Sequence, residues 1–139
     1  MSQNIKFNKA LIISRDSSIS GITQFILSSK IRCLTMRSAP DAKYIFKASD
    51  ATRVLILDWS LQDKYNSIFK CLVEAKSRKK IFVVNIFNSN IQKKWIYERL
   101  PKLKDNNKIY TISNELLSIS LIFTLMKVRK RLISDLSIN

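Results

Sequence analysis

The sequence predicts an α/β fold, a doubly wound sheet of five parallel strands, and three observations predict it. Five short aliphatic runs are spaced along the chain, at 10–13, 31–36, 54–57, 81–84 and 108–112. Each is followed by residues whose apolar positions recur at three- and four-residue spacing, the period of a helix lying on a sheet. The connections between them are only a few polar residues long, as in consecutive βα units. Consecutive rather than alternating apolar residues mark strands covered on both faces, which is how parallel sheets are built.

Taken in order, Ala10-Leu11-Ile12-Ile13 is the first strand, and Ser17 or Ser18 caps a helix whose inner positions are Ile19, Ile22 and Ile26. The run at 31–36 is a shorter, weaker strand. Ser38-Ala39-Pro40-Asp41 then starts a helix, with Pro and an acid in its first turn and Tyr44, Ile45 and Ala48 facing inward. Val54-Leu55-Ile56-Leu57 is the central strand and runs straight into Asp58. A polar loop at 60–66 leads to a helix carrying Ile68, Phe69, Leu72, Val73 and Ala75. Ile81-Phe82-Val83-Val84 ends at Asn85. A fourth helix through Ile91, Trp95, Ile96 and Leu100 stops near Pro101. Lys108-Ile109-Tyr110-Thr111-Ile112 is the last strand, and Ser113 or Asn114 caps a final helix over 115–134. Right-handed crossovers at this size select the flavodoxin-like order 2-1-3-4-5 with five helices, in one domain spanning 1–139.

Composition narrows the class. A chain of 139 residues with 46% hydrophobic content can bury a core without disulfides or metal. Cys33 and Cys71 match no metal or redox spacing. The N-terminus shows no secretory leader pattern, which predicts a reducing cytoplasmic location. The most apolar stretch, 116–128, is interrupted by Ser118, Ser120, Thr124 and Lys127, so no membrane insertion is expected.

The predicted strand order makes the first, third and fourth strands neighbours. Ligands of open α/β sheets bind at the strands' C-terminal edge. Arg15, Asp16, Asp58, Asn85 and Ile86 therefore converge there.

In Leu11-Ile12-Ile13-Ser14-Arg15-Asp16, Val54-Leu55-Ile56-Leu57-Asp58-Trp59-Ser60-Leu61 and Ile81-Phe82-Val83-Val84-Asn85, the chain resembles response-regulator receiver domains across residues 9–133. The resemblance implies an acidic pair holding magnesium after the first strand and an Asp after the third strand that accepts a phosphoryl group from a histidine kinase. It also implies a Ser or Thr after the fourth strand and a Lys after the fifth, both binding the phosphoryl oxygens. Asp58 matches the acceptor, Asp16 the second acid, Ser60 the residue whose carbonyl contacts the metal, and Tyr110 the switching aromatic.

The departures fall on the chemistry. Arg15 replaces the first acid, Asn85 the Ser or Thr, Ile86 the small residue after it, and Ser113 or Ile112 the Lys. Gln62 stands for the loop Pro, and Asn66, tolerant of a left-handed backbone, for the loop Gly. Phosphoryl transfer rests on positioning and charge neutralisation, and magnesium needs oxygen ligands in near-octahedral array. A guanidinium in place of a carboxylate removes a ligand and adds a repelling cation. Arg15 is expected to pair with Asp58 in the metal's stead. This is a degenerate, pseudo-receiver pattern: no enzyme, no cofactor, and magnesium at Asp16 and Asp58 only if the site still works. The plainer alternatives are that Asp58 caps a loop, Asp16 caps the first helix and Arg15 faces solvent.

Three functions follow. The first is a two-component-type signalling module, not phosphorylated, that acts through a signalling protein partner. The second is a working receiver phosphorylated on Asp58. The third is a small basic nucleic-acid-associated protein, since the net charge is +15 and basic clusters lie at 76–80, 93–94, 102–104 and 127–131. The last helix is apolar on more than one face. That surplus predicts a homodimer through the fourth helix, fifth strand and fifth helix, with Trp95, Tyr97 and Leu125 at the interface.

Overall fold

The computed structural model describes residues 8–38, 51–61, 65–78 and 80–137. Five strands form one sheet: β1 (Lys9–Ile13), β2 (Arg32–Met36), β3 (Thr52–Asp58), β4 (Phe82–Phe87) and β5 (Ile109–Ser113). Their order is β2-β1-β3-β4-β5 and every neighbouring pair is parallel, as predicted. Among the described residues there are four helices, not five: α1 (Ser17–Leu27), α2 (Tyr65–Lys76), α3 (Asn90–Arg99) and α4 (Leu117–Ser137). A 3-10 turn, Pro101–Asp105, follows α3. The expected helix starting at Ser38 lies, beyond that serine, outside the described residues, as does Gln62.

Strand alternation divides the core in two. Odd-numbered Leu11, Ile13, Leu55, Leu57, Trp59 and Val83 pack with Ile68, Leu72 and Ile96 of α2 and α3. Even-numbered Ala10, Ile12, Val54, Ile56, Phe82, Val84 and Ile86 pack with Ile19 and Ile26 of α1 and with Leu121, Leu125 and Val128 of α4. Central β3 is fully covered from Val54 to Leu57, which is why its apolar residues run consecutively.

Three boundaries differ from expectation. β4 continues two residues beyond Asn85, because Ile86 and Phe87 are buried on opposite faces of the sheet and a polar residue before them does not end the strand. Asn66 lies in the first turn of α2, so it does not serve as a left-handed loop residue. The positive φ among the described non-glycine residues is at Leu116 (50°), just before α4, a conformation that is uncommon for a branched side chain. The helix caps are also specific. Asp16, not Ser17 or Ser18, caps α1, its Oδ1 accepting from Ser18 N–H at 2.8 Å, and Ser89 caps α3 by accepting from Gln92 N–H.

No described helix is long and apolar enough to cross a membrane.

Candidate functional site

Asp58 is the last residue of β3 and only 3% exposed. Its even position turns the side chain to the α1/α4 side of the sheet, where it opens into a hollow of about 250 Å³. Asp16, Ile19, Ser60, Ile86, Asn88, Asn114 and Leu117 line the rest of it. The carboxylate is held at both oxygens. Ser14 Oγ donates to Oδ2 at 2.6 Å, and Ser60 N–H donates to Oδ1 at 3.0 Å. Ser14 in turn accepts from Asp16 N–H at 3.0 Å, which ties the loop after β1 to the end of β3. Hydrogen bonds to a charged acceptor are the stronger kind, and here they offset part of the cost of burying the charge. Across the mouth, Asn114 Nδ2 donates to Asn88 Oδ1, bridging the loops after β5 and β4.

Asp58, Asp16, Ser60 and Ile86 thus come together as expected, with Ile86 opposite Asp58 in the β3–β4 register. Other residues do not. Arg15 does not pair with Asp58: it is exposed, its Nε donates to the Arg37 carbonyl at 3.0 Å, and it makes no ion pair with that carboxylate. The cause is alternation past the end of β1, where Ser14 turns inward (1% exposed) and its neighbour must turn out. Asn85 is fully buried on the opposite face, its Oδ1 accepting from Trp59 Nε1 at 3.1 Å while its Nδ2 finds no protein partner. Ser113 is exposed opposite Phe87 and lines a neighbouring hollow with Lys93 and Glu115 instead.

Tyr110 packs against the α1/α4 core, its hydroxyl accepting from Arg131 Nη1 at 2.7 Å, and it does not line the Asp58 hollow. The residues chosen for an interface are engaged within the chain to different degrees. Trp95 packs edge-on against Phe69 of α2 (centroids 5.2 Å apart) and near Trp59 (6.5 Å), with the Arg99 guanidinium 3.9 Å above its ring. Tyr97 is partly buried against the same core, with Lys104 5.0 Å from its ring centroid. Leu125 is fully buried. A helix apolar on several faces does not reveal which stripe meets the sheet, and the stripe through Leu121, Leu125, Val128 and Leu132 is the one that does.

Three site residues carry no signal in the sequence: Ser14, Asn88 and Asn114. Serine and asparagine are ordinary loop residues. Only the inward turn of Ser14 beside a buried carboxylate gives it a role.

The donor set does not fit magnesium. Among the described residues two carboxylates reach the hollow, each oxygen of Asp58 already accepts a hydrogen bond, and Oδ1 of Asp16 caps α1. Arg15, which the resemblance sets at the first acid of the pair, points elsewhere. Among the described residues no three His, Cys, Asp or Glu side chains are grouped to hold a metal. No Lys or Arg among the described residues lines the hollow. Compared with known families and with curated proteins, the chain matches no family model and no curated protein.

Proposed function

We propose that this chain is a degenerate receiver, a cytoplasmic signalling module of the two-component type that works by protein–protein interaction and carries no phosphoryl group. One observation carries the reading: the aspartate at the acceptor position is buried, hydrogen-bonded at both oxygens, and set in a hollow with a second carboxylate and, among the described residues, no basic side chain. A phosphoryl group arriving there brings more negative charge to two carboxylates with no described cation beside it, the reverse of what transfer needs. The parallel sheet in receiver order and the convergence of Asp16, Asp58 and Ser60 support the receiver part of the reading.

Trp59 follows Asp58 directly and is fully buried on the α2/α3 face, so a change at Asp58 reaches its fluorescence through the shared backbone. Titration with magnesium into the millimolar range is expected to leave the emission unchanged. A saturable change that Asp58→Asn abolishes would overturn the reading and favour a working receiver.

A second reading draws on a separate surface. Lys93, Lys94, Lys102 and Lys104 are all exposed on α3 and the 3-10 turn, a cluster suited to phosphate backbones. If it binds nucleic acid, retention on DNA falls steeply with salt and Lys93→Glu/Lys102→Glu weakens it. Retention that is flat with salt excludes this reading.

A further inference from the structure

The only glycine in the chain, Gly21, stands in the middle of α1. Glycine weakens a helix interior relative to alanine, and here nothing inside the protein calls for it, since an added Cβ would meet no atom within 4 Å. What the missing side chain does is open the floor of an apolar hollow of about 380 Å³ between α1 and α4. Ile22, Phe25, Ile122, Met126 and Arg129 are among its walls. Beside this hole stands a knob. Phe123, one residue from Ile122, is 63% exposed, and along the same helix Leu116 is 76%, Ile119 55% and Met126 55% exposed, with Phe25 of α1 at 89%. A hollow with a glycine floor takes a large side chain, and the adjoining helix turn presents one.

We propose that this α1–α4 face is a two-fold interface with a second copy of the chain, Phe123 of each copy entering the hollow over Gly21 of the other. A two-fold interface must be complementary to itself, with each partner supplying both halves of every contact, and this face carries both halves. The area is adequate as well. Aromatic side chains bury about 150–250 Å² each. Two largely exposed phenylalanines with the exposed Leu116, Ile119, Ile122 and Met126 therefore approach the roughly 800 Å² per partner of a standard interface. The pairing names the partner for the interaction module proposed above and rests on that reading only for its biological use. Its test leaves Asp58 untouched, so the two can fail separately. It differs from the face through α3, β5 and α4 expected from sequence, of whose named residues Leu125 is fully buried in the chain's own core.

Charge shapes the pairing. From residue 116 to 134 the chain has no acid, so two copies bring Lys127, Arg129 and Lys130 near their counterparts. Salt screens such exposed charges over about 8–10 Å at physiological strength, so association holds or tightens as salt rises.

Sedimentation of the full chain at micromolar concentration, in low and in high salt, tests this. The expected result is a dimer at least as tight in high salt. Gly21→Leu fills the hollow without touching the chain's own fold, and Phe123→Ser removes the knob. Each is expected to raise the dissociation constant at least about thirtyfold, as loss of a central aromatic anchor does. Gly21→Leu should keep or raise the thermal midpoint, which separates loss of association from loss of folding. A monomer at every salt concentration overturns the proposal, and so does a dimer indifferent to both substitutions. A monomer that instead binds anionic vesicles through Phe25 and Phe123 also overturns it and gives the face to lipid.

Discussion

Removing the Ser14 hydroxyl is the sharpest perturbation of the site. Ser14→Ala takes away the donor to Asp58 Oδ2 and the acceptor for Asp16 N–H in one step. Ser14 is 1% and Asp58 3% exposed, so solvent does not readily fill the gap. A hydrogen bond to a charged group contributes about 1.5–3 kcal/mol, and a buried group left short of partners costs a similar amount. The expected loss is therefore about 2 kcal/mol, a sizeable part of the roughly 5–15 kcal/mol that holds a domain together. In a chain of this size it lowers the thermal midpoint by about 4–10 °C. Urea melts of wild type, Ser14→Ala, Asp58→Asn and the double variant close a cycle. If the bond exists, the two substitutions couple by about 1 kcal/mol or more. A single loss below about 0.5 kcal/mol, the level of an ordinary surface change, with coupling near zero, would refute the claim that this bond clamps Asp58.

Other sites give further tests. Leu125→Ala removes a fully buried side chain of α4 and should cost about 2–5 kcal/mol in a melt, whereas Phe123→Ser on the same helix should cost far less in a melt at concentrations low enough to keep the chain monomeric. Arg131 ties α4 to β5 by donating to the Asn107 carbonyl and the Tyr110 hydroxyl, and it lies over the Phe82 ring. Arg131→Ala is expected to cost about 1–3 kcal/mol, and an unchanged melt counts against the contact. Burial pushes the Cys33 thiol up from its ordinary 9.0 to about 11. Because burial favours the neutral form, the folded protein holds less thiolate than a free thiol at any pH below that value. The alkylation rate should therefore still be climbing above pH 9 in the folded protein, while levelling near 9 in urea. Identical profiles would contradict the burial.

The architecture was legible because it rests on consecutive apolar residues. Val54 to Leu57 can only be a covered strand, and five such runs with short connections leave few topologies. The site was legible in part. Position after a strand brought Asp58, Asp16 and Ser60 together, since strand ends in a parallel sheet share an edge. Side-chain direction beyond the strand end was not legible. Ser14 and Arg15 are adjacent, and which one turns inward depends on where β1 stops pleating. Asn85 misled for a related reason: a polar residue reads as a strand end, yet this one is fully buried beside Trp59 with β4 still running. The last helix carries apolar residues around most of its girth, so periodicity alone did not separate the Leu125 stripe under the sheet from the Phe123 stripe in solvent. Only the position of α1 makes that distinction.

The measurement that bears most directly on the central claim is intact mass after incubation with magnesium and a small-molecule phosphodonor. Among the described residues the hollow around Asp58 holds two carboxylates and no basic side chain, so wild type and Asp58→Asn should each keep their unmodified mass, neither gaining a phosphoryl group. A phosphoryl adduct on wild type that Asp58→Asn does not form would contradict the account and make Asp58 a working acceptor.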